Sequence, residues 1–225
     1  MGRAILAEAV MTKPKKTSSS RRWLARQAAD PHVLAARRDG YRSRASYKLL
    51  ELDDRYRILR AGQRVVDLGA APGGWSQVAA DRVGPRGGVW ACDLLPMEPI
   101  AGVQVIQGDF TEMAVLDALR HAIGEAAIDV VISDMAPNIS GMRSVDQPRA
   151  MYLVELALEF AAEFLKPDGI WVAKVFQGEG SDALLKEARG RFRRVRICKP
   201  AASRVESREV YWVGEGHRGA PGARG

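Results

Sequence analysis

Apolar residues along the chain fall into short runs closed by Gly, Asp, Asn or Pro. Runs at 65–68, 88–93, 103–107, 129–133, 170–176, 192–198 and 209–213 read as strands, with helical spacings between them. Strands alternating with helices predict an α/β protein whose mostly parallel sheet is covered on both faces. The clearest helix spans 150–165, where Leu153, Leu156, Ala157, Phe160, Ala161 and Phe164 form one stripe, Glu155, Glu159 and Glu163 lie elsewhere, and Pro167-Asp168-Gly169 ends the pattern. An earlier helix carries Tyr47, Leu49, Leu50 and Leu52, with Ser43 or Ser46 as its cap and a turn at Ala61-Gly62. After Val213 the segment GEGHRGAPGARG is too glycine-rich to pack. The division expected is a basic disordered tail (1–20), a basic arm (21–44), one folded domain (45–214) and a disordered tail (215–225).

Charge changes this picture at the front of the chain. The 225 residues carry 34 Lys plus Arg against 27 Asp plus Glu, net +7. Residues 1–60 hold 15 basic and 6 acidic residues, so the remainder is net −2. A second cluster, 189–208, has eight basic residues against Glu206 alone. Two basic patches flanking a near-neutral body suggest a polyanionic partner, most simply nucleic acid, although either patch alone reads equally well as a solvated face. Cys92 and Cys198 are far apart, and with His32, His121 and His217 they form no metal-binding or disulfide pattern. No apolar run is long enough to span a bilayer. The expectation is a cytoplasmic protein without metal or membrane partner; the basic start, ending in Thr-Ser-Ser-Ser, reads as a plain tail rather than a mitochondrial address.

Candidate chemistry centres on VVDLGAAPGGWSQ (65–77), which reads as strand, glycine loop and helix. Glycines permit positive φ and leave no Cβ between main chain and ligand, so Gly69 and Gly73 suit close approach to exposed N–H groups. The spacing is not the G-x-G-x-x-G of dinucleotide enzymes, because Ala71 stands where a glycine is needed. Acids recur at strand ends: Asp67, Asp93, Asp109 and Asp134. In an open parallel sheet that edge is where ligands bind. Singly each acid reads as a cap or turn residue; four in succession suggest a site. Asp93 follows Asp67 by 26 residues, near the spacing of a ribose-binding acid, and Asp109 is then placed to read an adenine amino group. Lys174 interrupts the apolar run Trp171-Val-Ala-Lys-Val-Phe176 where alternation calls for an apolar residue; a side chain snorkelling at a sheet edge is the bland alternative.

YRSRASYKLLE, VVDLGAAPGGWSQ, ACDLLPM, QGDF, SDMAPNISG, PRAMYLVELALEF, VAKVFQGEG and SREVY closely resemble, in order and spacing, the FtsJ-like (RrmJ) ribosomal RNA 2′-O-ribose methyltransferases, over roughly 39–213. The resemblance implies a Rossmann-like S-adenosyl-L-methionine-dependent methyltransferase fold with seven strands, the last antiparallel. It implies a tetrad of Lys48, Asp134, Lys174 and Glu209 around the target ribose. It also implies cofactor contacts from Gly73, Trp75, Asp93, Asp109 and Asp134, with Gly69 and Asp67 nearby. The expected substrate is a uridine in 23S ribosomal RNA within the large ribosomal subunit. Lys174 is the candidate base if neutral, or the group that orients the hydroxyl if charged; Lys48 and Glu209 position the ribose. The rivals are a transfer RNA target, a non-catalytic ribosome-assembly factor on the same scaffold, and a nicotinamide enzyme, the last disfavoured by the loop spacing.

Overall fold

The computed structural model describes residues 30–124 and 127–219. The tail 1–20, the first part of the arm (21–29) and residues 220–225 lie outside the described residues. In chain order the elements are α1 (Pro31–Arg38), α2 (Ala45–Tyr56), β1 (Arg64–Leu68), α3 (Gly74–Val83), β2 (Gly88–Asp93), β3 (Val103–Gln107), α4 (Met113–Ile123), β4 (Ile128–Ser133), α5 (Arg143–Phe164), β5 (Leu165–Phe176), α6 (Ser181–Arg191), β6 (Phe192–Cys198) and β7 (Glu209–His217). The seven strands form one sheet ordered β3-β2-β1-β4-β5-β7-β6, parallel except that β7 runs antiparallel to both neighbours.

Period-two alternation sorts each strand between two cores. Val66, Leu68, Val131, Trp171, Ala173 and Trp212 pack against α4, α5 and α6. Val65, Val130, Ile132, Val172, Tyr211 and Val213 pack against α2 and α3. Because the chain runs outward through β2 and β3 before returning to β4, the order in which strands are added reverses between the parallel neighbours β1 and β4. A crevice therefore opens at their carboxyl ends.

Three local expectations are corrected. Neither Ser43 nor Ser46 caps α2: the Arg44 cap position makes no side-chain bond, and Ser46 Oγ donates to Gly74 O at 3.1 Å. The serines instead fill the contact between α2 and α3, where a Cβ on Gly74 would stand 2.3 Å from Ser43 Oγ. Helix α5 begins at Arg143, not 150, because Asp146 accepts from the Ser140 and Gly141 N–H groups and fixes the preceding loop. The segment after Val213, expected to be disordered from 215, continues β7 to His217. Its backbone pairs on both sides: Glu215 lies opposite Ile170 and Arg194, and His217, opposite Phe192, is only 2% exposed. Glycine content misled there because Gly214 is required by packing: a Cβ on it would meet the buried Phe192 ring at 2.8 Å.

That ring is stacked on Trp171, 5.8 Å between centroids, and has no room to withdraw. Gly214→Ala should therefore destabilise the fold by about 1–3 kcal/mol through overpacking, measured by urea denaturation; an unchanged midpoint would show that the Phe192 ring yields freely.

Candidate active site

The residues that end β1, β2, β3 and β4 meet in the crevice. A cavity of about 620 Å³ opens there, lined among others by Gly69, Asp93, Asp109 and Asp134, with Leu95, Phe110 and Pro137 as apolar walls. Gly69 (φ 76°) must be a glycine, because a Cβ would fall 2.4 Å from Met135 Cγ and 3.0 Å from its Cα. Asp93 ties two walls together, accepting from Ala71 N–H at 2.9 Å and Leu95 N–H at 2.8 Å. Asp109 receives both the Thr111 N–H (2.9 Å) and hydroxyl (2.7 Å) on one oxygen, and these bonds hold its carboxyl below the ordinary range.

Beside the cavity a second group forms around Asp134. Lys174 on β5 lies directly across from Tyr211 on β7, and Phe176 from Glu209, so the antiparallel register sets all of them at one end of the sheet. Lys174 Nζ is 3.1 Å from Asp134 Oδ1 and also donates to the Asp134 carbonyl. The Tyr211 hydroxyl donates to the same carboxylate oxygen at 2.7 Å and accepts from Lys48 Nζ at 3.0 Å. Lys48, reaching in from α2, is paired with Glu209 at 2.6 Å. Burial alone pushes the Asp134 carboxyl up, but the charges of Lys174 and Lys48 and the Tyr211 bond outweigh it and hold the group below its usual value. Asp134 is thus a carboxylate at neutral pH. Burial, then the Asp134 and Glu209 charges, push the Tyr211 phenol well above its ordinary value, so it remains a donor. The side chains of Lys174, Lys48 and Glu209 are 8%, 10% and 12% exposed, so the group is recessed.

Three expected cofactor residues fall outside the cavity lining. Asp67 is wholly buried on the α3 side of β1, where Ser76 Oγ donates to it at 2.6 Å and its other oxygen has no partner among the described residues. Trp75 is 2% exposed and donates its indole N–H to Ala45 O at 2.8 Å. Gly73 caps α3 at φ 103°, and its missing Cβ makes room for Met97 and Ile100.

Tyr211 is the site residue that sequence reasoning missed. Its signal was present: two positions after Glu209 on a strand, it must share that residue's face. The arm also differs from its basic pattern. Arg44 is paired with Asp30 and donates to Ala202 O, and Arg42 is bonded to main-chain carbonyls, whereas Arg37, Arg38, Arg189 and Arg194 face solvent. In the second cluster Arg193 pairs with Asp168 and Arg196 with Glu215.

A sheet in this order, with one antiparallel strand and acids lining the switch-point cavity, is the architecture of the Rossmann-like methyltransferases. The model of the FtsJ-like methyltransferase family matches residues 41–217, and the chain belongs to that family. It is 59% identical over 204 residues to the Ribosomal RNA large subunit methyltransferase E of Hahella chejuensis, covering 91% of this chain and 99% of that one. The protein of the same name from Cellvibrio japonicus is 58% identical over 204 residues, covering 91% and 97%. Among solved structures, a Plasmodium falciparum protein named as a ribosomal RNA methyltransferase superposes with a TM-score of 0.73 at 29% identity, over 80% of this chain and all of that one.

Asp67 makes the fold sensitive to pH. Burial raises its carboxyl to about 7, with Ser76 opposing, whereas in the unfolded chain it ionises near 3.9. Between those values the folded state keeps a proton that the unfolded state has lost, so stability falls as pH rises, by about 1.4 kcal/mol per unit, until about pH 7. Asp67→Asn should flatten the dependence of the melting temperature on pH between about 4 and 7; a variant with the wild-type slope would show that other groups carry it.

Proposed function

We propose that this protein transfers a methyl group from S-adenosylmethionine to the ribose 2′-hydroxyl of a uridine in 23S ribosomal RNA, acting on the assembled large subunit. The observation that carries the reading is the closed set Lys48, Glu209, Tyr211, Asp134 and Lys174, recessed at the carboxyl ends of β4 and β5 and adjoining the cavity through Asp134. The names of the large-subunit relatives and the exposed basic residues of the arm support RNA as the acceptor. The uridine and its 2′-hydroxyl follow from the motif resemblance.

The cavity residues fit the cofactor. A carboxylate offers about four acceptor positions, and the Ala71 and Leu95 bonds leave Asp93 two for a pair of ribose hydroxyls. The second oxygen of Asp109 is left for an adenine amino group between the Phe110 and Pro137 walls. The main-chain N–H of Trp75, in the first turn of α3, suits a carboxylate, whereas the Gly73 N–H is already given to Ala70 O at 2.7 Å. Bound there, S-adenosylmethionine supplies an electrophilic methyl group on sulfur.

The protein's own work is to orient the hydroxyl and take its proton. Lys48 and Glu209 hold the ribose. Once Lys174 has given its own ammonium proton to solvent, the Nζ lone pair accepts the hydroxyl proton as the O–H bond breaks, the O–CH3 bond forms and the methyl leaves sulfur, the electron pair staying on sulfur. The ammonium so produced lies between two acceptors already aimed at it, the Asp134 carboxylate and carbonyl, so charge appears where the site stabilises it. Tyr211 keeps Asp134 fixed and separates its charge from Lys48.

Lys174→Ala should lower the single-turnover methylation rate of large-subunit RNA about a hundredfold to ten-thousandfold and leave cofactor affinity intact. Asp93→Ala should do the reverse, weakening cofactor binding about tenfold to hundredfold with much of the rate restored at saturating S-adenosylmethionine. A near-normal rate in Lys174→Ala would remove the lysine from the chemical step. The exposed arm residues give a further test: Arg37→Ala with Arg38→Ala should weaken RNA binding and flatten its dependence on salt, since fewer counterions are released; identical binding curves would leave the arm without an RNA role.

A further inference from the structure

Arg42 differs from Arg38 and Arg44, which are paired with Asp39 and Asp30. Among the described residues its guanidinium has no carboxylate partner; Nη1 donates to Glu98 O at 2.6 Å and Pro72 O at 3.4 Å, and Nη2 to Pro99 O at 2.7 Å. Pro72 belongs to the glycine loop after β1, and Glu98 and Pro99 to the loop after β2, the two segments that Asp93 joins from within by accepting from Ala71 and Leu95. Ala71, Asp93 and Leu95 all line the cavity. The arm is itself anchored to α3 at the same place: Gln77 accepts from the Arg42 N–H at 3.2 Å and donates to Gly40 O at 2.9 Å. The stem of Arg42 lies against Gly73 together with Met97 and Ile100, so a side chain at 73 would displace all three.

The geometry points to Arg42 as a positioning residue for the cofactor: it clamps the glycine loop to the β2–β3 loop from outside and makes the N-terminal arm part of the cofactor-binding frame. A planar fork whose donors sit on separate nitrogens holds three carbonyls on two loops in one fixed geometry, whereas an ammonium must reach them all from a single atom. Arg42 touches only protein, so it acts on the ligand through the spacing of the two loops. If the arm holds the loops in their binding arrangement, bound ligand must in turn hold the arm, because coupling between two sites is reciprocal.

The inference rests on the S-adenosylmethionine reading, and its tests separate the two. By calorimetry, Arg42→Ala should weaken S-adenosylmethionine binding about tenfold to hundredfold, and Arg42→Lys, which keeps the charge and reaches fewer carbonyls, should fall between. In turnover the loss should appear in KM for the cofactor, with kcat near wild type at saturation. In the wild-type protein, adding S-adenosylmethionine should slow hydrogen exchange at the Arg42 amide. That measurement and Arg42→Lys decide the matter if Arg42→Ala does not fold. An Arg42→Ala protein that folds, melts lower and binds the cofactor with wild-type affinity would make the clamp a packing device only, as would an Arg42 amide indifferent to cofactor. Wild-type protein that binds no S-adenosylmethionine would instead overturn the cofactor reading.

Discussion

The site depends on keeping one half-buried carboxylate ionised. Removing Asp134 from water favours its neutral form, and only the two lysines and the Tyr211 hydroxyl reverse that preference. These partners come from three places in the chain: Lys48 from the helix before the first strand, Lys174 from the fifth strand, and Tyr211 from the last. The sheet order therefore acts on the electrostatics directly. Inserting β7 between β5 and β6 brings Tyr211 opposite Lys174, and packing α2 on that face brings Lys48 to the far side of the phenol. Without this convergence Asp134 would be another strand-end acid, of the kind that Asp67, wholly buried beneath α3, exemplifies.

Asp67 and Asp134 are an instructive pair. Both are aspartates at the carboxyl end of a central strand, and burial penalises the charge of both. One has a hydroxyl donor and an oxygen unmatched among the described residues, and its carboxyl is raised to about 7; the other has two cations, and its carboxyl is depressed. Position along the strand fixes neither outcome; the partners across the sheet do.

This is also where the limits of reading the sequence lie. The strand-and-helix alternation, the crevice acids and the intrusive Lys174 were legible because each depends on local pattern or on the single rule that ligands sit at strand ends. The seven strand centres all fall where the apolar runs lie, and the misjudged ends have physical causes. Gly214 was read as flexibility, although the ring of Phe192 demands it. Either Ser43 or Ser46 reads as a cap, although both fill the contact with α3. Long-range pairing was the least visible: composition marks Arg42 and Arg44 as basic but not as bonded to segments far along the chain, and the sequence offers Asp67 as a ligand contact without showing that α3 covers it.

The placement of β7 also bears on how the protein is made. Glu209 and Tyr211 reach Lys48 across more than 150 residues of chain, and they arrive on the final strand, which fills the gap between two strands already synthesised. A nascent chain that has emerged only through β6 has its glycine loop and all three cavity acids but lacks the groups that finish the Asp134 environment. The environment of Asp134 is thus complete only once the last strand has been made: a product ending at β6 carries every residue that lines the cavity but neither Glu209 nor Tyr211.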